Sequence, residues 1–350
     1  MGVTEYRRMG RKGTALILVI AAVAILVAFY SISISKYHIG FGEAIGIIVK
    51  NLTGGTFDTF EEGLKNNIVW ENYLPMIIGG LFIGGILGIG GAVMQTIIRN
   101  PVADPYTTGI SSGALFGVTV FIVLGSGFTG IGYELGMMLN AFVFSLVPAA
   151  FIVLFSMVRK TTPTMMVLIG IAVMYVFSAM TTLLKYTATD DEITTIFAWS
   201  VGTLSGIGWT DAGYLMIAFT AIAASMMFLS NRLNVITSGD NAAIGLGVDP
   251  NRTRVLCLVL VSVATSVAVC FSGTIGFIGL VAPHIARVLV GSNMKLLIPC
   301  SAVVCSLLLV FSESLARCIG PTGMSVGVVT ALIGGPFFLY FIVKQKKGTW

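Results

Sequence analysis

The chain has 350 residues, of which 56% are hydrophobic and 10% are charged, and its formal net charge is +5. Soluble globular domains carry about 25% charged residues, and a chain of this length cannot hide so much apolar surface in one core. Composition therefore argues against a soluble enzyme, a nucleic-acid-binding protein and a disordered chain. The 5 cysteines form no CxxC pair and lie in or beside apolar runs, a pattern typical of small buried side chains rather than of disulfides or metal ligands.

Charge-free runs long enough to cross a bilayer recur along the whole chain. A membrane helix needs about 20 mostly apolar residues. Runs of this kind cover residues 13–35, 72–98, 105–133, 135–158, 161–184, 212–231, 255–286, 296–312 and 318–343. The run 193–210 is also uncharged, but it is rich in Thr, Ser, Gly and Trp and predicts a short helix at the membrane interface.

The run 255–286 is too long for a single crossing. As one helix it would measure about 48 Å at about 1.5 Å per residue, against a hydrocarbon core of about 30 Å. The stretch from Ser272 to Gly276 is typical of a tight turn, so we divide the run there. The sequence thus predicts ten transmembrane helices in a single all-α domain that covers residues 1–350.

The distribution of basic residues tests this topology, because cytoplasmic loops carry an excess of Lys and Arg. Ten spans place both basic termini and fifteen basic residues in all on the cytoplasmic side. The five on the other side are Lys36, Lys50, Lys65, Lys185 and Arg317. The alternative topology crosses at 193–210 and leaves 255–286 whole. It places twelve basic residues on the cytoplasmic side and eight on the outer side. We therefore expect a multi-pass protein of the cell membrane with both termini in the cytoplasm.

The chain shows no energy source of its own. It has no G-x-x-x-x-G-K-[ST] loop to hold a nucleotide phosphate, and Glu313 is the only acid that interrupts the later apolar runs. Ion-coupled carriers usually place ionisable residues within the membrane, so a secondary transporter is the weaker alternative. A membrane enzyme would need clustered catalytic groups, whereas His38 and His284 are far apart in the sequence. We expect no catalytic residue, no metal ligand and no bound cofactor in this chain, and a partner that supplies the energy.

Five polar or glycine-rich segments interrupt the apolar pattern. They read Gly91-Ala-Val-Met-Gln95 through Arg99-Asn-Pro-Val-Ala-Asp-Pro105, Gly109-Ile-Ser-Ser-Gly113, Ala243-Ile-Gly-Leu-Gly-Val248, Gly276-Phe-Ile-Gly-Leu-Val-Ala-Pro-His-Ile-Ala-Arg287 and Gly327-Val-Val-Thr-Ala-Leu-Ile-Gly-Gly-Pro336. With these motifs in this order, the chain resembles the FecCD family, the permease subunits of bacterial and archaeal ABC importers for iron-siderophores, haem and cobalamin. The similarity covers nearly all of the ten predicted spans.

The resemblance implies a type II ABC importer permease fold and a set of partners. These are a second permease copy in a homodimer, two cytoplasmic ABC ATPases that bind ATP and Mg, an extracytoplasmic substrate-binding protein, and the lipid bilayer around the spans. It implies no enzymatic activity in the permease itself. The substrate stays open: iron-siderophore is the commonest role in the family, and haem, cobalamin and molybdate are alternatives.

The cytoplasmic loop 231–254 matches the family's coupling helix, which seats in a groove of the ATPase. The residues so implied are Gly239, Asp240, Ala243, Leu246, Gly247 and Val248. Read from the residues themselves, the loop predicts a short helix that is capped by Ser238 and exposes Ala243, Leu246 and Val248. Apolar side chains have no reason to face water in a plain loop, so the pattern indicates a protein partner or the lipid interface.

The resemblance also implies a cytoplasmic gate at the turn between the second and third spans. Its residues here are Asn100, Pro101 and Val102, with Thr161 and Thr162 in the next inner turn.

Docking of the binding protein is predicted on the outer face, where family members present arginines to glutamates of that partner. The family's Arg-Leu-Pro-Arg before the second span reads Tyr73-Leu74-Pro75-Met76 here, whereas Arg317 matches a family arginine. The outer loop 35–71 offers Lys50 and Lys65 as substitute cations. Glu61 and Glu62 of the same loop offer contacts of reversed polarity, for which the binding protein would supply the cations.

Overall fold

The computed structural model describes residues 3–34, 37, 39–125, 132–158, 162–320 and 323–344, with side chains from residue 10 onwards except those of 341 and 342. All regular structure within these residues is helical. The α-helices, numbered in chain order, are α1 Val3–Ser33, α2 Phe41–Leu52, α3 Phe60–Asn66, α4 Leu74–Ile98, α5 Ile110–Leu124, α6 Tyr133–Val158, α7 Pro163–Lys185, α8 Asp190–Ser200, α9 Trp209–Thr237, α10 Asp240–Gly245, α11 Pro250–Ser272, α12 Ile278–Val290, α13 Met294–Cys318 and α14 Val326–Lys344. A π-helical segment, Asn67–Tyr73, joins α3 to α4, and a 3-10 turn, Pro105–Thr108, precedes α5.

Seven helical stretches in the described ranges are long and apolar enough to cross a membrane. They are Gly10–Ser33, Phe60–Ile98, Tyr133–Val158, Pro163–Lys185, Trp209–Thr237, Pro250–Ser272 and Met294–Cys318. Three shorter apolar helices, Ile110–Leu124, Ile278–Val290 and Val326–Tyr340, match the remaining predicted spans. The all-α membrane architecture is confirmed, whereas the number of crossings stays a prediction.

The division of the run 255–286 is confirmed. Helix α11 ends at Ser272, the backbone turns at Gly273 with a φ of 65°, and α12 begins at Ile278. The run 193–210 contains the short helix α8, which begins three residues before that run because Thr189 and Glu192 form a capping box. A helix of 11 residues is too short to cross a bilayer.

Helix α4 is the centre of the fold, and its glycines allow neighbouring backbones to approach closely. A Cβ atom added to Gly84 would lie 2.6 Å from Ser306 Cα of α13, and one added to Gly88 would lie 2.2 Å from Ser301 O. On another side, a Cβ atom at Gly91 would lie 1.8 Å from Gly279 O of α12. Backbone atoms cannot turn aside as a flexible side chain can, so only glycine fits at these three contacts.

The helices run between two ends of opposite charge. The first, called the basic end below, holds the ends of α4 and α9, all of α10 and the starts of α11 and α13; its basic residues include Arg99, Arg232, Arg252, Arg254 and Lys295. The second, called the acidic end, holds α2, α3 and α8; its acids include Glu43, Glu61, Glu62, Asp190 and Asp191.

Three chain segments meet at the acidic end where α14 begins. Thr203 N donates to Ser272 O at 2.8 Å, and Ser325 Oγ donates to Val201 O at 2.8 Å. A Cβ atom at Gly327 would lie 1.9 Å from Val201 O. These contacts fix the start of α14 at Val326.

Four of the cysteines are buried as expected: Cys257, Cys270, Cys300 and Cys305. Cys318 is exposed, because α13 ends there, and this corrects the expectation for that residue.

Candidate coupling site and docking surfaces

Helix α10 is a short helix on the surface of the basic end. It begins after Gly239, which has a φ of 114°, and the loop that follows it turns at Gly247 with a φ of 77°. Ser238 does not cap it, which corrects the prediction: Gly239 takes the capping position, and no side chain forms a cap there. Asp249 caps the next helix instead, because its Oδ1 accepts from Asn251 N at 2.9 Å.

The exposed apolar side chains of this loop are Ile244 and Leu246, which are 63% and 67% exposed. Ala243 is fully buried, so the prediction that its side chain is exposed is wrong, whereas its assignment to the coupling segment stays a prediction. Ala243 lies three residues after Asp240 and therefore shares the side of α10 on which Asp240 binds α11. Val248 is half-buried, since its N–H donates to Ala243 O at 2.9 Å and folds the loop back.

Asp240 is the centre of an ion network that fastens α10 to the rest of the protein. Its Oδ1 lies 2.6 Å from Nη2 of Arg99 and 2.6 Å from Nη2 of Arg254. Arg254 also donates from Nη1 to Asp240 Oδ2 at 2.9 Å and from Nε to Ile97 O at 3.0 Å. The hydrogen bond from Arg254 is the largest cause that holds the pKa of Asp240 below its ordinary value, and the charge of Arg99 adds to it.

The two arginines also satisfy backbone carbonyls at the ends of helices. Arg99 follows the last residue of α4 in a left-handed conformation, with φ 54° and ψ 40°, and its Nη2 donates to Ile236 O near the end of α9 at 2.7 Å. Arg254, whose side chain is 2% exposed, does the same for Ile97 O of α4. The last carbonyls of a helix have no partner within it, so such donors stabilise its end. The sequence singled out Asp240 but not Arg254. The presence of an acid and several arginines in one short loop was the signal from which an ion pair could have been predicted.

The predicted gate residues form a tight turn directly after Arg99. Asn100 Oδ1 accepts from Val102 N at 3.0 Å, and Asn100 O accepts from Ala103 N at 3.1 Å. Pro101 is half-buried, and Val102 is 43% exposed. The turn is thus compact and lies at the basic end, and the apolar side chain of Val102 is exposed on its surface.

The other two predicted gate residues, Thr161 and Thr162, directly precede α7 in the chain. Thr161 lies outside the described residues. Thr162 caps α7, because its Oγ1 accepts from Met165 N at 3.3 Å. The stretch after the gate turn meets α7 further along, where a Cβ atom at Gly170 would lie 2.7 Å from Thr107 O.

Arg317 does not present a free guanidinium at the acidic end, although its docking role stays a prediction. Its side chain is 14% exposed. Nη1 donates to Ile34 O at 3.2 Å, and Nη2 donates to Ser31 O at 3.1 Å. The arginine therefore fastens the end of α13 to the end of α1.

The two lysines of the outer loop are paired with acids of the same loop. Lys50 Nζ lies 3.2 Å from Glu62 Oε2. Lys65 Nζ lies 2.7 Å from Glu43 Oε1 and 2.7 Å from Glu61 Oε1. The Lys50–Glu62 and Lys65–Glu43 pairs join α2 to α3, so neither lysine is a free cation here, and their role in docking stays a prediction. Glu61 keeps a side chain that is 75% exposed, and contacts of reversed polarity stay a prediction.

Taken together, the long apolar helices and the exposed apolar side chains of α10 describe a multi-pass helical membrane protein with a candidate contact surface. The sequence profile of the FecCD transport family matches residues 19–344, and the chain belongs to that family.

Named relatives cover most of the chain. It is 31% identical to the iron(3+)-hydroxamate import system permease protein FhuB of Bacillus subtilis, over 98% of this chain and 87% of that protein. It is 37% identical to the cobalamin import system permease protein BtuC of Halobacterium salinarum, over 80% of this chain and 74% of that protein. Among solved structures, an inward-facing metal-chelate type ABC transporter superposes with a TM-score of 0.81 at 26% identity, over 95% of this chain and 100% of that chain.

Family membership decides between the alternatives left open by the sequence. The chain is the permease of an ABC importer for metal chelates, a multi-pass protein of the cell membrane that works with ATPases and substrate-binding proteins. The ATPase is a separate subunit, so the chain is not itself an enzyme. An ion-coupled secondary transporter is excluded.

Proposed function

We propose that two copies of this chain form the pathway of an importer that carries an iron-siderophore into the cytoplasm. The observation that carries the proposal is the surface of α10, where Ile244 and Leu246 are 63% and 67% exposed on a loop anchored by the buried Arg254. Exposed apolar side chains on a fixed support are typical of a protein contact. We therefore assign α10 and its flanking glycines to the ATPase, which binds ATP and Mg.

The basic end faces the cytoplasm in this proposal, and both termini lie there. Support comes from the excess of basic residues at that end, since Lys and Arg in short loops stay on the cytoplasmic side of a membrane. The turn Asn100–Val102 then closes the cytoplasmic end of the pathway, and the acidic end receives the substrate-binding protein.

A homodimer is proposed because a cavity formed by the described residues of one copy is unsuited to a polar chelate. The cavity of about 580 Å³ between α6, α9 and α11 is lined almost entirely by apolar side chains, such as Leu139, Phe142 and Ile222. A charged or strongly polar ligand would lose its hydration there without new hydrogen bonds. A path between two copies avoids that loss.

The substrate is assigned to an iron-siderophore because the relative named for iron(3+)-hydroxamate matches over 98% of this chain. The test is uptake by proteoliposomes that contain the permease and its ATPase, with the cognate binding protein added outside. Ferric hydroxamate, haem, cobalamin and molybdate are offered separately, with and without ATP inside. We expect ATP-dependent uptake of ferric hydroxamate; uptake of another substrate alone would overturn the assignment.

The ATPase contact is tested in the same preparation. We expect the pair Ile244→Asp and Leu246→Asp to abolish co-purification of the ATPase. Val288→Asp, at a residue of α12 that is 73% exposed near the same end, is the matched control and should leave it intact. Normal co-purification of the first variant would show that α10 is not the contact.

A further inference from the structure

The ion network at Asp240 connects two parts of the protein that the backbone does not connect. Helix α10 lies between α9 and α11 in the chain, whereas the gate turn follows the end of α4. Arg99 and Asp240 are 141 positions apart in the chain, yet their side chains are 2.6 Å apart. The ion pair between Asp240 and Arg99 is thus a direct contact between α10 and the residue that precedes the gate turn.

Arg99 is the hinge point between the central helix and the gate turn. It follows Ile98, the last residue of α4, and its left-handed backbone redirects the chain into Asn100. The turn beyond it is short and internally bonded, through Val102 N to Asn100 Oδ1 and Ala103 N to Asn100 O. Because these hydrogen bonds make the turn rigid, a displacement of Arg99 should also displace Val102.

Arg254 makes the attachment of α10 stiff. It is 2% exposed, and it holds both carboxylate oxygens of Asp240 while it donates to Ile97 O. Two parallel bonds between a guanidinium and a carboxylate fix orientation as well as distance. Neither oxygen of Asp240 can leave Arg254 freely, because this would strand a buried guanidinium without its counter-ion.

We propose that Asp240 is a positioning residue, which transmits movement of the ATPase-bound α10 to the gate turn through Arg99 and Arg254. This rests on the proposed functions of α10 and of the gate turn. In this mechanism the ATPase pulls or rotates α10, the carboxylate carries the two guanidinium groups with it, and the end of α4 and the turn 100–104 follow. Asp240 itself touches neither substrate nor nucleotide.

The test uses the complete transporter with its ATPase and binding protein in proteoliposomes. Asp240→Asn keeps the size of the side chain and removes its charge. We expect ATP hydrolysis within about twofold of the parent and substrate transported per ATP to fall by about tenfold, within the 5–150-fold range of allosteric coupling. Arg252→Gln removes a neighbouring arginine that is 87% exposed and pairs with Asp249; it is the matched control and should leave the ratio unchanged.

A second readout separates transmission from simple loss of structure. Cysteine placed at Val102 in both copies should crosslink in one nucleotide state of the parent transporter. With Asp240→Asn, we expect the crosslinking yield to become the same with and without ATP. Asp240→Glu should restore part of the difference. Arg99→Gln combined with Asp240→Asn should be no worse than Asp240→Asn alone, because Asp240→Asn already removes the ion pair with Arg99.

An unchanged transport ratio in Asp240→Asn would overturn the proposal. Should that variant fail to fold, Arg99→Gln carries the test, since the Arg99 side chain is 38% exposed and its loss leaves Arg254 paired. The underlying assignment of α10 fails separately: it is wrong if the Ile244 and Leu246 variants retain the ATPase, whatever the result at Asp240.

Discussion

The guanidinium carbon of Arg317 lies 4.7 Å from the centre of the Tyr73 ring. Tyr73 immediately precedes α4, so its ring supports the guanidinium from the start of that helix. A guanidinium over an aromatic face is held by the ring quadrupole, and the bonds of Arg317 to α1 add to this. Arg317 thus joins α13, α1 and the start of α4 at the acidic end.

Replacement of Arg317 by Gln is expected to destabilise the protein. The variant loses hydrogen bonds from a charged donor to Ser31 O and Ile34 O, each worth about 1.5–3 kcal/mol in general. The measurement is the melting temperature of the purified permease in detergent, which should fall. Lys185→Gln, which removes a charge at the same end, is the control. Equal melting temperatures for Arg317→Gln and the parent, with weaker binding-protein affinity, would support the docking prediction instead.

Replacement of Gly91 by Ala is expected to prevent normal folding. The added methyl group would lie 1.8 Å from Gly279 O, and overpacking of a core usually costs about 1–3 kcal/mol even where neighbours can adjust. The matched control is Gly213→Ala in α9, where nothing lies within 4 Å of the added atom. Size-exclusion profiles of the two variants should differ, with aggregation of Gly91→Ala. A monodisperse Gly91→Ala variant would mean that α4 and α12 can separate at little cost.

Bulky residues at Gly247 are expected to uncouple transport. The position has a φ of 77°, and nothing lies within 4 Å of an added Cβ atom, so a large side chain would point into the surface assigned to the ATPase. A non-glycine residue in this conformation costs roughly 1–2 kcal/mol, and Gly247→Ala measures that part alone. Gly247→Phe should lower transport per ATP well below Gly247→Ala. If the two variants transport equally, steric fit at Gly247 does not matter for coupling.

The attachment of α10 is expected to be insensitive to pH over the neutral range. The pKa of Asp240 lies below its ordinary value of 3.8, so its contribution to stability is fully present above that value. It is lost only as the pH falls through the lowered pKa. Hydrogen exchange of residues 239–249, corrected for intrinsic rates, should therefore show equal protection at pH 8 and at pH 5. A loss of protection by pH 5 would mean that Asp240 is not the anchor.

Acids of the outer loop are expected to contribute to docking of the binding protein. Glu61 is 75% exposed, and its replacement by Gln should lower the binding-protein affinity at low salt. The loss should shrink at high salt, because exposed charges are screened. Glu192→Gln in α8, at the same end, tests whether the effect is local to the loop. Unchanged affinity of Glu61→Gln at low salt would exclude contacts of reversed polarity at this residue.

The sequence by itself determined the long apolar helices, but not the short helices α2 and α3 of the outer loop. Each crossing must satisfy its own backbone hydrogen bonds and present an apolar surface to lipid, so a crossing is visible as a local run of residues. The same locality explains why the break between Ser272 and Ile278 and the short helix α8 could be predicted. A glycine-rich helix such as α4 is typical of close helix packing, but the sequence does not show which helices Gly84 and Gly91 meet.

Tertiary structure alone decided what the charged residues do. Arg317 bonds to the end of α1 because the ends of α13 and α1 meet, 283 positions apart in the chain. Ala243 is buried because the side of α10 that carries Asp240 faces α11. Asp240 pairs with Arg99 because α4 ends beside α10. Long side chains reach whichever partners the packed helices bring near, and spacing along the chain contains no record of that packing.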